Sequence, residues 1–570
     1  MGPALKWMGA AVVAAGSASM AADVPAGRPV TGRSQVATRL GIVAASQPLA
    51  AAAGVQVLER GGNAVDAAIA ANAAIGLMEP TSNGIGGDLF ALVYDARSGT
   101  LHGLNASGWA PRALTREFMT QRGFTELPQR GAFAVTVPGA VAGWHALREK
   151  FGRLPLADSL APAIHYANEG FPVSEITAGH WASSAGMLSS EPNAAATFLV
   201  DGRAPQPAGL FRNPDLARTL TRIAERGRDG FYQGPTAQAI VAILKERGSP
   251  MAADDLAEFE AEWVQPISTT YRGWTVSEIP PNGQGIAALM MLNLMETFPV
   301  GQFGFHSPEA LHVMIEAKKL AYADLLRYVG DPRMARVPVD AMLDKGRAAE
   351  RARLIDPARA QCHVQPSRLD RVTDMEGHDT IYLSVVDRDG NMVSLIQSNY
   401  NGFGSGLVPA GMGFMLHNRG ALFTLRPGQA NTLEGRKRPL HTIIPAFMEK
   451  DGTRISFGIM GGWNQAQAHA QFVADVADFG FTAQEALEAG RFTKASFGGC
   501  DVEIEPLVPA RTRDALAARG HKVYVTPPRS YEFGYGQATV SRPDGVHLGA
   551  SDPRHDGAAV PEAPAVFTER

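Results

Sequence analysis

Residues 44–80 are crowded with apolar positions and broken by few polar ones, a pattern that predicts two alanine-rich helices. The first covers residues 48–60 and stops at Gly61-Gly62, where glycine tolerates the left-handed backbone of a helix end. Asn63 stands where it can cap the second helix, which ends before Pro80. Residues 64–78 are apolar almost all round, so this helix is expected to be buried on most sides. It is shorter than the ~20 apolar residues a membrane span requires, and no later stretch is longer. Asn83-Gly84-Ile85-Gly86-Gly87-Asp88 then leads into a strand over 89–94. Such a turn can cradle phosphate, but no helix start with Lys-Ser/Thr follows, which favours a tight turn lying close to another piece of backbone.

Helical patterning dominates residues 137–244, and Pro280-Pro281-Asn282-Gly283-Gln284-Gly285 precedes another helix over 286–296. Residues 356–377 are polar and aperiodic, the one plausible boundary in a chain without repeats or low-complexity linkers. After it the period changes. Residues 381–386 read as a strand, Asp387-Arg388-Asp389-Gly390 as a hairpin turn and 391–397 as the returning strand. A further strand over 454–460 ends at Gly461-Gly462, followed by a helix over 464–477 and a capping box from Thr482 to Glu485. The second half is therefore α/β.

Composition narrows the function. Hydrophobic residues make up 45% and charged residues 19% of 570, an ordinary globular balance. Lys plus Arg number 52 against 56 Asp plus Glu, and no basic run marks a nucleic-acid surface. Small-molecule chemistry is the expectation. Cys362 and Cys500 are too few for a disulfide scaffold or a four-cysteine zinc site, and are read as two separate thiols rather than a pair. There is no His-Glu-x-x-His, and the 14 histidines show no ligand spacing, so neither metal nor cofactor is expected. At the N-terminus Lys6 precedes a short apolar stretch and then Ser17-Ala18-Ser19-Met20-Ala21-Ala22. That order resembles a secretory signal over residues 1–22, cut near Ala21 or Ala22, and predicts a periplasmic or secreted protein. The alternative is a disordered leader on a cytoplasmic one.

The strongest hairpin begins directly after Thr380. A β-branched residue at a strand start has a plain explanation in strand preference. It also has a chemical one. A threonine hydroxyl is a poor nucleophile unless something takes its proton, and a chain-terminal threonine carries its own base. An α-amine has a pKa of about 7.7–8.0, close enough to neutrality to serve. Such an enzyme must first be cut, here between Asp379 and Thr380.

Several segments carry a resemblance that decides between the two. They include Gly61-Gly62-Asn63-Ala64-Val65-Asp66-Ala67-Ala68, Ser82 through Asp88, and Val137-Pro138-Gly139. Gly330-Asp331-Pro332, Asp379-Thr380 with Leu383-Ser384-Val385-Val386-Asp387, Phe403-Gly404-Ser405-Gly406, Lys437-Arg438-Pro439-Leu440 and Gly461-Gly462 follow in order. The closing Ser551-Asp552-Pro553-Arg554-His555-Asp556-Gly557 belongs with them. From about Gly41 onward the chain resembles the γ-glutamyltransferase family of N-terminal-nucleophile hydrolases. The resemblance implies a four-layer αββα sandwich, a large chain over 23–379 and a small chain over 380–570 that stay associated. It implies Thr380 as nucleophile, Ser398 as the hydroxyl supporting its amine, and backbone N–H groups of Gly461 and Gly462 as an oxyanion hole.

The acyl-binding positions depart from the family's best-known members. Ser107 stands for an arginine that clamps the α-carboxylate, and His441 and Thr442 for a pair of serines. Tyr400, Arg419 and Leu422 stand for the asparagine, glutamine and aspartate that hold the α-amine. Arg419 is read as a replacement carboxylate clamp or as a structural ion pair. His441 is read as a ligand contact or a structural histidine, and Tyr400 as a site residue or hairpin packing. The pocket then looks cationic, with no obvious acid to meet an amine. The implied function is cleavage of γ-glutamyl amides such as glutathione. The alternatives are hydrolysis of another carboxylated amide, oxamate-like or glutaryl-amide-like, and an inactive binding homologue. The expected partner is a small-molecule amide, with no nucleic acid and no membrane.

Overall fold

The computed structural model describes residues 31–367 and 380–566, so the leader over 1–22 and Asp379 lie outside the described residues. Two seven-stranded antiparallel sheets stack face to face. One runs Ala558–Pro561, Ile42–Ala45, Ile381–Val386, Met392–Ser398, Asp88–Asp95, Thr100–Ala106 and Glu262–Val264. The other runs Val36–Thr38, His547–Ser551, Gly536–Ser541, Thr453–Ile459, Ala446–Lys450, Trp274–Glu278 and Ile267–Tyr271. Each sheet mixes strands from before and after residue 380.

Helices cover both outer faces. Pro48–Glu59 and Ala64–Met78 lie on the first sheet, Gly285–Met295 and Asn464–Ala477 on the second. The expected four-layer αββα sandwich is what the chain builds. Strand Ile381–Val386 shows why its sequence lacks alternation. Ile381, Leu383 and Val385 pack into the core beneath the first helix pair, whereas Tyr382 and Val386 join the core shared with the second sheet. Successive side chains point to opposite faces, and here both are dry. Several polar groups between the sheets pair with one another. Ser384 Oγ lies 2.9 Å from Ser456 Oγ and 2.6 Å from Thr539 Oγ1, and Tyr382 Oη lies 2.7 Å from Ser394 Oγ. Gly458 makes room for the tyrosine: a Cβ there would stand 2.4 Å from its ring.

Local signals placed the helices well. Gln47 caps Pro48–Glu59, and Asn63 with Asp66 forms a reciprocal capping box on Ala64–Met78. Fourteen of the fifteen residues of that helix are buried, which is why it carries no polar stripe. Among the described residues no helix is long and apolar enough to cross a membrane.

The reading of two separate thiols is corrected. Cys362 and Cys500 form a disulfide, with Cα atoms 4.7 Å apart across 138 residues of sequence. Gly499 N–H donates to the Cys362 carbonyl at 3.0 Å, and Asp501–Ile504 pairs in parallel with Lys522–Val525. These long-range contacts, invisible along the chain, align the two residues.

Candidate active site

Strand register sets the centre. Ile381 pairs with Gln397 and Ser398 with Asp88, so Thr380, Ser398 and Asp88 lie in a row at one end of the first sheet. Thr380 is buried, and its hydroxyl donates to Ser398 Oγ at 3.2 Å. Ser398 Oγ in turn accepts from the Tyr400 N–H at 2.7 Å. The glycine-rich turn closes on this strand end: a Cβ on Gly87 would stand 2.4 Å from the Ser398 carbonyl, and one on Gly86 2.1 Å from that of Met415. Close backbone approach, not phosphate, explains these glycines.

From the second sheet, Thr453–Ile459 ends just before Gly461 and Gly462, whose φ values of 119° and 55° favour glycine. Helix Asn464–Ala477 starts immediately afterwards. Gln465, in its first turn, donates through Nε2 to Thr380 Oγ1 at 3.4 Å, so the Gly-Gly turn and Thr380 share one end of the sandwich. Gln284 braces the turn, reaching the Gly462 carbonyl at 2.7 Å and the Thr442 carbonyl at 2.5 Å.

Beside this centre is a buried charge cluster. Arg419 donates through Nε to Asp88 Oδ2 at 3.1 Å and through Nη1 to Thr442 Oγ1 at 2.6 Å. Its guanidinium carbon lies 4.6 Å from the centroid of the Tyr400 ring, within cation–π range. Nη2 is buried without a hydrogen-bond partner among the described residues. His417 Nδ1 at 3.0 Å and His441 Nε2 at 2.9 Å also meet Asp88 Oδ2, and Gly108 N–H meets Oδ1 at 3.1 Å.

The expectation of a cationic site without an acid is thus corrected. Asp88 supplies the acid, but four donors already occupy it. Burial opposes its ionisation; His417 and His441 outweigh burial and hold the carboxyl well below the usual range. Burial, reinforced by Arg419, pushes His441 down to about 3, so its ring is neutral at neutral pH. Ile443 N–H donates to His441 Nδ1 at 3.3 Å, which leaves the ring proton on Nε2, facing Asp88. Burial also raises the Tyr400 hydroxyl above its ordinary value.

Arg419 and His441 therefore meet at one carboxylate, and Tyr400 and Thr442 join them through Arg419. Ser107 borders this cluster without touching Asp88 or Arg419 through its side chain: its Oγ accepts from Asn282 Nδ2 at 3.1 Å and its carbonyl from Arg438 Nε at 2.9 Å. Leu422 is buried in the second core. Asp88, His417 and Gln465 escaped the sequence reading. The one available signal for Asp88 was an acid closing a glycine-rich turn at a strand start; for Gln465 it was an amide just after Gly-Gly.

Elsewhere, the reading of histidines without ligand spacing is corrected. His312 and Glu316, one turn apart on Pro308–Tyr328, meet His521, with ligand atoms within 4.8 Å of one another. The donors are already engaged. The histidine nitrogens lie 2.8 Å apart, and the Lys319 ammonium sits 2.6 Å from Glu316, supplying the positive charge a cation would bring. This set does not fit a metal.

A sequence profile described as Gamma-glutamyltranspeptidase matches residues 50–562. The "Glutathione hydrolase-like YwrD proenzyme" of Bacillus subtilis is 38% identical over 519 residues, covering 90% of this chain and 96% of the relative. The "Oxamate amidohydrolase proenzyme" of Klebsiella pneumoniae is 34% identical over 533 residues, 91% and 98% of the two chains. Among solved structures, a cephalosporin acylase from Bacillus halodurans superposes with a TM-score of 0.87 at 42% identity, covering 94% of this chain and 99% of the other. Sheet stacking, profile and relatives agree: this chain is an enzyme of the gamma-glutamyltranspeptidase family of N-terminal-nucleophile hydrolases.

Proposed function

We propose that the protein cuts itself between Asp379 and Thr380 and then hydrolyses amides of an acyl group that carries a carboxylate but no α-amine. In the cut, Thr380 Oγ attacks the Asp379 carbonyl and the peptide C–N bond breaks. Water then hydrolyses the resulting ester, leaving Asp379 as a carboxylate and Thr380 with a free α-amine. In turnover that amine takes the hydroxyl proton while Oγ attacks the substrate carbonyl. N–H groups of Gly461 and Gly462 stabilise the oxyanion, the leaving amine departs with the proton, and water releases the acid. Ser398, expected to support the amine, contacts the Thr380 hydroxyl at 3.2 Å, and we assign it to holding that hydroxyl.

One observation carries the substrate class: Arg419 keeps Nη2 without a partner among the described residues, beside Tyr400, whereas buried Asp88 already meets four donors, three of them at Oδ2. A second reading, γ-glutamyl amides such as glutathione, is favoured by the glutathione hydrolase-like relative. Glutaryl p-nitroanilide and γ-glutamyl p-nitroanilide differ only in that amine. We expect kcat/KM at least 10-fold higher on the glutaryl compound. A preference for the γ-glutamyl compound would overturn the first reading and leave the second standing. The N-terminal pattern supports export to the periplasm or medium; a mature large chain beginning at Met1 or Gly2 would refute it.

A further inference from the structure

The geometry points to Gln465 as a positioning donor for the nucleophile, an inference that rests on Thr380 being one. Its amide orientation is set by chemistry. Gln465 Oε1 accepts from the Ile444 N–H at 3.0 Å, and a backbone N–H can only donate. The NH2 end is therefore the one facing Thr380 Oγ1 at 3.4 Å. Gln465 is wholly buried and sits in the first turn of helix Asn464–Ala477, so its reach is fixed by the same element that follows the Gly-Gly turn. With that donor on one lone pair, the Thr380 proton is directed to Ser398. Gln465 thereby selects the hydroxyl rotamer that exposes the remaining lone pair for attack, and it stabilises negative charge as the proton leaves.

Two variants separate this role from simple packing. Gln465→Glu keeps an acceptor for Ile444 N–H but loses the donor and brings a negative charge. Gln465→Met removes both polar ends at similar length. For each, precursor cutting, kcat, KM and melting temperature are measured with the better anilide. Both should slow cutting and lower kcat about 100-fold with KM within about 3-fold, the size of effect that losing one oriented donor has. Gln465→Glu alone should also move the acid limb of the kcat profile to higher pH, because its carboxylate favours the α-ammonium. Wild-type kcat and pH profile in a folded Gln465→Glu or Gln465→Met protein would overturn the inference. Cutting in Thr380→Ala would instead overturn the reading beneath it.

A separate observation concerns the products of the cut. Cys362 precedes residue 380 and Cys500 follows it. We infer that the two mature chains are joined by a covalent bond as well as by packing. The surrounding backbone supports this: Ala360 N–H donates to the Arg519 carbonyl at 2.7 Å, and Gly499 N–H to that of Cys362. Both contacts cross from one product to the other. Such a bond persists in oxidising compartments, in keeping with an exported protein.

The test uses protein matured in a glutathione redox buffer, alkylated, and run on denaturing gels with and without dithiothreitol. Dithiothreitol reduces the bond to two thiols and is itself oxidised to a cyclic disulfide. We expect one crosslinked species without reductant and two chains with it, and two chains in either lane for Cys500→Ser. Two chains from the wild type without reductant would overturn the crosslink. Should a single chain persist in both lanes, the cut itself fails, and a digest lacking the 362–500 linked peptide would then reject the bond independently.

Discussion

In the proposed reading Arg419 is the residue on which substrate choice turns, and its surroundings determine how it is best altered. Truncation to alanine would leave Asp88 buried without its guanidinium, a change of the kind that costs 3–5 kcal/mol in stability. Arg419→Lys keeps the charge and loses the planar fork. It should raise KM for the glutaryl anilide by roughly 10- to 100-fold, the equivalent of one charged hydrogen bond, with kcat less affected. An unchanged KM would rule out a clamp. Thr380→Ala should give one uncut chain on a denaturing gel, and any cutting in that variant would reject Thr380 as the nucleophile. Thr380, Ser398 and the Gly-Gly pair, singled out through the short motifs that carry the family resemblance, lie at one end of the sandwich in the structure. Asp88, His417 and Gln465 were not legible, since they acquire meaning only when segments 20 to over 350 residues apart converge on one point.

At the scale of single elements, helices were the easier reading. The Asn63 cap needs only the residues beside it, and Asn63→Ala should lower stability by about 0.5–2 kcal/mol in urea unfolding. Strands Ile267–Tyr271, Trp274–Glu278 and Gly536–Ser541 escaped the reading because their short stretches mix Ser, Thr and Gly with apolar residues. Ile267–Tyr271 and Trp274–Glu278 form a hairpin, and it is through the distant partners Ala446–Lys450 and Thr453–Ile459 that Trp274–Glu278 and Gly536–Ser541 join the sheet. The stacked sheets also leave little slack. Gly458→Ala would drive a methyl into the Tyr382 ring and should cost about 1–3 kcal/mol by overpacking. Because Tyr382 is two residues from Thr380, the same variant should cut itself more slowly; normal cutting would show that the strand end tolerates the shift.

For the molecule as a whole, buried histidines govern the response to acid. Burial is the leading cause that pushes His441 and His521 down to about 3 and His306 and His555 down to about 4. An unfolded chain would bind these protons near the ordinary 6.5. The sign follows: stability is fully present above about pH 6.5 and is lost as pH falls toward 4 and 3, by up to about 1.4 kcal/mol per pH unit for each histidine. Glu79 acts the other way. Burial raises it to about 8, so its contribution is present below 4.5 and is lost as pH rises through 8. The urea midpoint should therefore be lower at pH 5 than at pH 7, and Glu79→Gln should gain on the wild type between pH 5 and pH 8. Equal midpoints at pH 5 and pH 7 in Glu79→Gln, where the opposing carboxyl is gone, would count against the histidine shifts.

Strand Ile381–Val386 lies hydrogen-bonded between Ile42–Ala45 on one side and Met392–Ser398 on the other. With the proposed cut at Thr380, interleaving of this kind makes the precursor a one-body folding problem and the cut protein a two-body one. Once cut and reduced, it should regain structure from denaturant at a rate that falls on dilution. With Cys362–Cys500 closed, the rate should not depend on concentration, because the tether sets a fixed local concentration of one piece around the other. On that proposal, the cut and reduced fold is expected to be kept by the slowness of its opening rather than by ready renewal from its parts.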